Sequence, residues 1–211
     1  MRLILAVAFA FAVAGFIFAT SAQAQFGEPP TTQVHDSSAL HPPAGAKVAI
    51  VEFEDLECPD CSRANPLLIE ATAKYGIPWI RHDFPLPMHN WSFQAAVNAR
   101  FFDTKSLKMG NDYRDYIFAN QISIETQGQL RDWTQKFAQT HGIAMPFAID
   151  PMGKLTAEVK ADYALGQKIG IEHTPTIWIV TNGNHAPPFV EVIDRTKLYQ
   201  LIDQALAETR R

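Results

Sequence analysis

The sequence predicts an α/β fold in which a β-α-β unit and a β-β-α unit are separated by a block of helices. Two apolar strand-like segments, at residues 47–53 and 77–84, flank one helical segment. Between Pro85 and Ile171 the chain carries helical periodicity and no strand pattern. After Ile171 come two further strand-like segments and a last helix. This order allows one mixed sheet with helices packed on its faces.

The first unit is predicted from residues 47–84. Residues 47–53 form an apolar segment typical of a buried strand. Residues 62–75 predict a helix that begins at Cys58 and ends before Gly76, because glycine commonly follows the last turn of a helix. Residues 77–84 predict a second strand, parallel to the first, because a crossover helix joins the two.

The middle of the chain is predicted to be helical. Phe93, Val97 and Phe101 are spaced by four and indicate a helix at residues 90–102. Further helices are expected at about residues 107–120 and 130–141. Another is expected to begin near Asp150 and end near Gly170.

The last unit begins at a proline. Residues 174–180 predict a strand, the turn Asn182-Gly183-Asn184 follows, and residues 189–193 predict the returning strand. Residues 195–209 predict a terminal helix. The order is that of a thioredoxin fold with an inserted helical domain. We divide it into a first thioredoxin-like part at residues 47–85, a helical insertion at 86–160 and a second thioredoxin-like part at 161–211.

The N-terminal segment has the pattern of an export signal. Residues 1–24 combine a basic start at Arg2, an apolar run and the small-residue site Ala22-Gln23-Ala24, which is typical of a cleaved signal peptide. The alternative is a retained membrane anchor, although the run is at the short end for spanning a bilayer. Both predict a periplasmic or otherwise extracytoplasmic protein. Residues 25–46, rich in proline, predict an extended arm.

The two cysteines of the chain lie in one motif, Cys58-Pro59-Asp60-Cys61, between the first strand and the first helix. A sulfur at a helix N-terminus is stabilised as a thiolate by unpaired N–H groups and the helix dipole. Thiolates attack disulfides, so the motif predicts thiol–disulfide exchange. Two alternatives are an inert disulfide, which gains little from so short a loop, and a metal site, which lacks further ligands nearby.

Three separated motifs give the chain a resemblance to the DsbA-like thiol oxidoreductases of bacterial cell envelopes. They are FEDLECPDC at residues 53–61, FPLPMH at 84–89 and GIEHTPT at 170–176. The resemblance implies that Cys58 is the attacking thiol and that Cys61 is the buried resolving thiol. It also implies that the Thr174–Pro175 peptide bond is cis and faces the cysteines.

Other residues are candidates for the site. Glu52 lies in the apolar strand, where an acid is costly unless it has a use or a partner, and the resemblance implies a role in relaying a proton to Cys61. The alternative is a partly solvated strand end. The backbone of Thr174 could pair with an extended substrate beside Pro175.

His173 could contact that substrate, or it could be a surface histidine. Pro59 and Asp60 are expected to tune the reduction potential. The best-known relatives carry histidine at the position of Asp60, and a carboxylate there should raise the pKa of the thiolate by repulsion. Around the thiols, an acidic cluster could either tune the potential or form a solvated loop; it comprises Glu54, Asp55, Glu57 and Asp60.

The predicted function is an exported oxidoreductase that donates the Cys58–Cys61 disulfide to unfolded or newly exported proteins. A membrane quinone-linked reoxidase of the DsbB or VKOR type would then restore the disulfide. The alternatives are a reductase or isomerase kept reduced, and a redox-dependent chaperone or metal-delivery module. No metal or organic cofactor is expected. The net charge of −4 argues against a nucleic-acid partner, and we expect a monomer.

Overall fold

The computed structural model describes residues 31–183 and 187–209. The predicted signal peptide or anchor, residues 25–30 of the arm and Asn184 of the predicted turn lie outside these ranges. Within these ranges there are four strands: β1 (Val48–Glu54), β2 (Trp79–Asp83), β3 (Thr176–Thr181) and β4 (Phe189–Glu191). The helices are α1 (Pro59–Tyr75), α2 (Ser92–Asp103), α3 (Leu107–Asn120), α4 (Gln127–Thr140), α5 (Lys154–Ile169) and α6 (Leu198–Glu208).

The four strands form one sheet in the order β2-β1-β3-β4. Strand β1 is parallel to β2 and antiparallel to β3, and β3 is antiparallel to β4. The register places Glu52 of β1 beside Arg81 of β2 and beside Ile177 of β3. This arrangement confirms the predicted β-α-β and β-β-α units on either side of a helical block, and it makes β1 a central strand.

Alternate residues of β1 face two different cores. Val48 and Ile50 pack with α1 and α6 on one face of the sheet. Ala49, Val51 and Phe53 pack on the other face, against residues of α5 and of the N-terminal arm. All seven residues of β1 are buried. The strand period of two places the side chain of Glu52 on the same face as α1.

The helical insertion has a core of its own, and both cysteines belong to it. Helices α2, α3 and α4 contribute most of the aromatic side chains of this core. Cys58 and Cys61, at the start of α1, pack in the same core. Helix α5 continues from the insertion onto the sheet. The predicted boundary after residue 160 falls inside this one helix, so our division into domains stays a prediction.

The N-terminal arm lacks helices and strands over residues 31–46, as predicted, but it is packed against the fold. Leu40 is buried, the His35 N–H donates to Ile169 O, and Thr32 binds the Glu191 carboxylate of β4. His41, in the same arm, is exposed. Within the described ranges, no helix has the length and apolar character needed to cross a membrane.

Candidate active site

Cys58 is the N-cap residue of α1. Its backbone is extended, with φ −73° and ψ 120°, and Pro59 occupies the first turn of the helix. Proline suits this position because its fixed φ matches the helix and its missing N–H would have no partner there. The predicted location of the first sulfur at a helix N-terminus is confirmed. The N–H groups of the first turn of a helix lack partners within the helix, so they favour a negative charge at this position.

The surroundings of Cys58 favour its charged form. The pKa of Cys58 is lowered from 9.0 to about 6, chiefly by a hydrogen bond from the Cys61 thiol and further by the backbone N–H groups of Cys61 and Asp60. Burial opposes this shift. The hydroxyl of Thr174, a buried oxygen without another partner among the described residues, also favours the thiolate.

Cys61 has the opposite properties. It is fully buried one turn into α1, and burial raises the pKa of its thiol well above 9.0. The negative charges of Cys58 and Glu52 raise it further, whereas the Asp55 N–H, 3.5 Å from Cys61 Sγ, lowers it. Both cysteines are free in this structure. The pair therefore combines an ionised sulfur with a protonated one, as nucleophile and resolving thiol require.

Glu52 is a fully buried carboxyl group rather than a partly solvated strand end. Trp79 Nε1 donates to Glu52 Oε2 at 3.0 Å. Burial and the charge of Glu54 raise the pKa of Glu52 well above its usual value, while Arg81 acts against them. A buried carboxyl group with a raised pKa is a candidate for proton transfer. Its role in relaying a proton to Cys61 stays a prediction.

The Thr174–Pro175 peptide bond is cis, as the resemblance implied. Cys58 Sγ lies 3.3 Å from Thr174 O, to which it donates when protonated, so the loop lies directly against the reactive sulfur. His173 is half-buried, and its carbonyl accepts a hydrogen bond from Thr176 Oγ1. Contact of these residues with a substrate stays a prediction.

The net shift of the Cys58 pKa is downward, and repulsion by the Asp60 carboxylate is not among its largest causes, so the predicted effect of that carboxylate stays a prediction. The carboxylate has two cationic partners. Asp60 Oδ1 accepts from Arg195 Nη2 at 2.7 Å and from Arg63 Nη2 at 3.0 Å. Two guanidinium groups thus neutralise the acid that was expected to repel the thiolate.

The other acids around the motif form neither a solvated loop nor a free charged cluster. Glu54 is buried and paired with Arg81. Asp55 is buried and accepts from the Leu86 N–H and from His89 Nδ1. Glu57 caps α2 from a distance: Glu57 Oε2 accepts from the N–H groups of Trp91, at 2.6 Å, and Ser92, at 2.9 Å. Asp55 and Glu57 thereby fasten the loop before Cys58 to the start of the insertion.

Several residues near the site were not predicted. Arg81 lies within a buried network that joins Glu54, Asp115 and Asn65. The buried acids of β1 do call for a cation, but the sequence does not say which residue pairs with them. Gln121, at the end of α3, donates to Leu56 O and Cys58 O and thereby braces the N-cap. Nothing in the sequence around Gln121 indicates that its side-chain amide would bind the backbone of the cysteine motif.

Two further features are separate from the dithiol. A pocket of about 360 Å³ opens in the insertion, but its lining contains neither cysteine. The polar groups at its base, Asn98 and Thr134, hydrogen-bond to each other. Among the described residues, no group of three or more His, Cys, Asp or Glu side chains is arranged to hold a metal ion.

This geometry defines a dithiol centre at the N-terminus of the first helix of a thioredoxin fold. The chain belongs to the thioredoxin family, whose family model matches residues 43–195. No curated protein matches its sequence.

Solved structures with the same fold include the thiol-disulfide exchange protein alpha-DsbA2 from Wolbachia pipientis, with 18% identity, coverage of 78% of this chain and 84% of that one, and a TM-score of 0.61. A periplasmic thioredoxin-like protein from Salmonella enterica serovar Typhimurium has 20% identity, coverage of 79% and 88%, and a TM-score of 0.61. The catalytic domain of Proteus mirabilis ScsC has 20% identity, coverage of 79% and 88%, and a TM-score of 0.62. The likeness establishes a DsbA-like thioredoxin fold.

Proposed function

We propose that this protein is an exported thiol:disulfide oxidoreductase that donates the Cys58–Cys61 disulfide to other proteins. The observation that carries the proposal is the asymmetry of the two sulfurs. Cys58 has a pKa of about 6 and contacts the Thr174 carbonyl, whereas the thiol of Cys61 is buried and has a raised pKa. Two of the structural neighbours, a thiol-disulfide exchange protein and a periplasmic thioredoxin-like protein, support this proposal.

The reaction would run in two exchanges. A substrate thiolate attacks Cys58 Sγ of the oxidised protein, the Cys58–Cys61 bond breaks, and Cys61 leaves as a thiolate that takes up a proton. A second substrate thiol loses its proton and attacks the substrate sulfur of the mixed disulfide, which releases Cys58 as a thiolate. The substrate loses two electrons and the protein gains them. Glu52 is the candidate group for moving the proton of Cys61.

The lowered pKa of Cys58 favours donation of the disulfide over reduction of substrates. A thiol with a pKa of about 6 instead of 9.0 stabilises the reduced form about tenfold at pH 7, which corresponds to ~30 mV for a two-electron couple. Solvent around the thiolate makes this an upper figure. The sign is the useful result, because stabilising the reduced protein makes its disulfide a stronger oxidant.

Location and partners belong to the same proposal. The pattern of residues 1–24 supports export. An exported oxidant would meet newly exported proteins with free cysteines, and it would need a reoxidant after each turnover. A quinone-linked membrane enzyme of the DsbB or VKOR type fits that need. The cis-proline loop, with Thr174 beside Cys58, is the proposed place for an extended substrate segment.

The test is the equilibrium of the Cys58–Cys61 pair with reduced and oxidised glutathione, combined with turnover of a reduced, unfolded substrate protein. We expect the purified protein to oxidise that substrate and to have a potential above that of glutathione. A potential well below glutathione, with reduction of substrate disulfides, would instead establish the reductase or isomerase. Absence of exchange in both directions would leave the redox-dependent binding module.

A further inference from the structure

Arg195 links the C-terminal part of the chain to the cysteine motif. It lies at the start of a short 3₁₀ turn, Arg195–Lys197, that leads into α6. Its guanidinium group donates to the motif twice: Nη2 to Asp60 Oδ1 at 2.7 Å, and Nη1 to Asp60 O at 3.2 Å. About one third of the Arg195 side chain is exposed. The contact therefore binds both the charge and the backbone of Asp60.

Asp60 is close to the reacting sulfur through its own backbone. Its N–H is among the donors that favour the Cys58 thiolate. An unpaired carboxylate on that residue would oppose the thiolate, because like charges at short range disfavour the charged form. Because two guanidinium groups contact the Asp60 carboxylate, they reduce its repulsion of the Cys58 thiolate.

We propose that Arg195 is a potential-setting residue, which neutralises Asp60 and so allows an acidic residue between the two cysteines of an oxidising site. Arg195 touches neither sulfur in the described contacts and acts through Asp60, so it is a positioning residue. The inference rests on the proposed function for its relevance to oxidation. It concerns the Cys58 thiolate in either direction of exchange.

Arg63 is the natural control. It contacts the same oxygen of Asp60, at 3.0 Å, from the same helix. However, two thirds of its side chain is exposed, and among the described residues its guanidinium group makes no hydrogen bond to the Asp60 carbonyl. Exposed pairs of this kind contribute little because water screens them. Arg195, less exposed and held by two hydrogen bonds, should have the larger effect.

The experiment measures the ultraviolet absorbance of the Cys58 thiolate against pH, and the equilibrium with glutathione at pH 7. For Arg195→Gln we expect the pKa of Cys58 to rise by about half a unit. The glutathione equilibrium should shift about threefold in the reducing direction, equivalent to ~14 mV. Arg195→Lys should retain most of the parent value, and Arg63→Gln should shift it less.

The decisive comparison uses Asp60→Asn. If Arg195 acts by neutralising Asp60, then Arg195→Gln should have little effect in the Asp60→Asn background. An equal effect in both backgrounds would overturn the proposal, because Arg195 would then act without Asp60. An unchanged thiolate pKa in the Arg195→Gln variant, or an equal shift in the Arg63→Gln variant, would also overturn it. The pKa readout stands whether the protein proves to be an oxidase or a reductase.

Discussion

The pKa of Cys58 makes the stability of the reduced protein depend on pH in a predictable way. A folded-state pKa of about 6, against 9.0 for the unfolded chain, means that the folded thiolate stabilises the reduced form fully above pH 9. This contribution is lost as the pH falls through 6. At pH 7 it amounts to ~1.4 kcal/mol, and at pH 8 to ~2.7 kcal/mol. An allowance for solvent screening lowers the value at pH 7 to about 1 kcal/mol.

Replacing the sulfur measures this contribution directly. The reduced parent and the reduced Cys58→Ser variant would be unfolded in urea at pH 5, 7 and 8, with circular dichroism as the signal. The difference in unfolding free energy between the two should rise by about 1 kcal/mol from pH 5 to pH 7, and further at pH 8. The part of this free-energy difference that does not change with pH reports the packing of the side chain. The change with pH reports the thiolate.

A flat difference across this range would refute the reasoning. It would mean that the N–H groups of the first turn and the Cys61 thiol do not favour the thiolate. A rise that begins only near pH 9 would have the same meaning. As an internal control, the oxidised parent holds no titrating thiol, so its stability should lack the component that the reduced parent gains between pH 5 and 8.

Further predictions concern single residues of the site. Cys61→Ala should accumulate mixed disulfides through Cys58, whereas Cys58→Ala should abolish exchange; trapping with a thiol substrate on non-reducing gels checks both, and exchange by the Cys58 variant would contradict the assignment. Glu52→Gln should slow resolution of the mixed disulfide more than the first attack, as measured by stopped-flow with a model peptide; equal resolution rates across pH 5–8 would leave Glu52 a structural role. Asp60→His should make the disulfide more oxidising by ~30 mV or less, against glutathione, since a cation replaces an anion that arginines already offset. Glu57→Gln should lower the unfolding free energy by about 1 kcal/mol through its weaker bonds to the N-terminus of α2, and an unchanged urea midpoint would show that the cap does not stabilise the fold.

The features that were predictable from sequence are those with a local signal. The burial of β1, the start of α1 at the Cys-x-x-Cys motif and its end at Gly76 follow from neighbouring residues. Gly76 has φ 62°, a conformation that glycine adopts without strain. The alternation that turns Glu52 away from Phe53 also follows from the strand period. The cis bond before Pro175 was implied by a family resemblance rather than derived.

The charges of the site were harder to predict because their partners are distant in sequence. Arg195 and Asp60 are 135 residues apart, and a chain pattern gives no measure of whether they meet. The same holds for Arg81 of β2, which binds Glu54 of the neighbouring strand β1. Counting acids near Cys58 suggested a repulsive field, but each acid of the cluster around the motif has a cation or N–H donors. The effect of nearby acids on the pKa of a thiol can therefore be judged only once the partners of those acids are known.

The helical insertion does more than cover the cysteines, because its packing contributes to the difference in pKa between their thiols. Ser62 Oγ donates to Phe118 O, and Gln121 donates to Cys58 O, so α3 and the turn after it hold the first turn of α1 in place. The same packing leaves Cys61 fully buried, which raises the pKa of its thiol. Cys58, at the N-cap, keeps the N–H donors that lower its own pKa. One helix start thus gives two identical side chains opposite pKa shifts, and the proposed roles of nucleophile and resolving thiol rest on that difference.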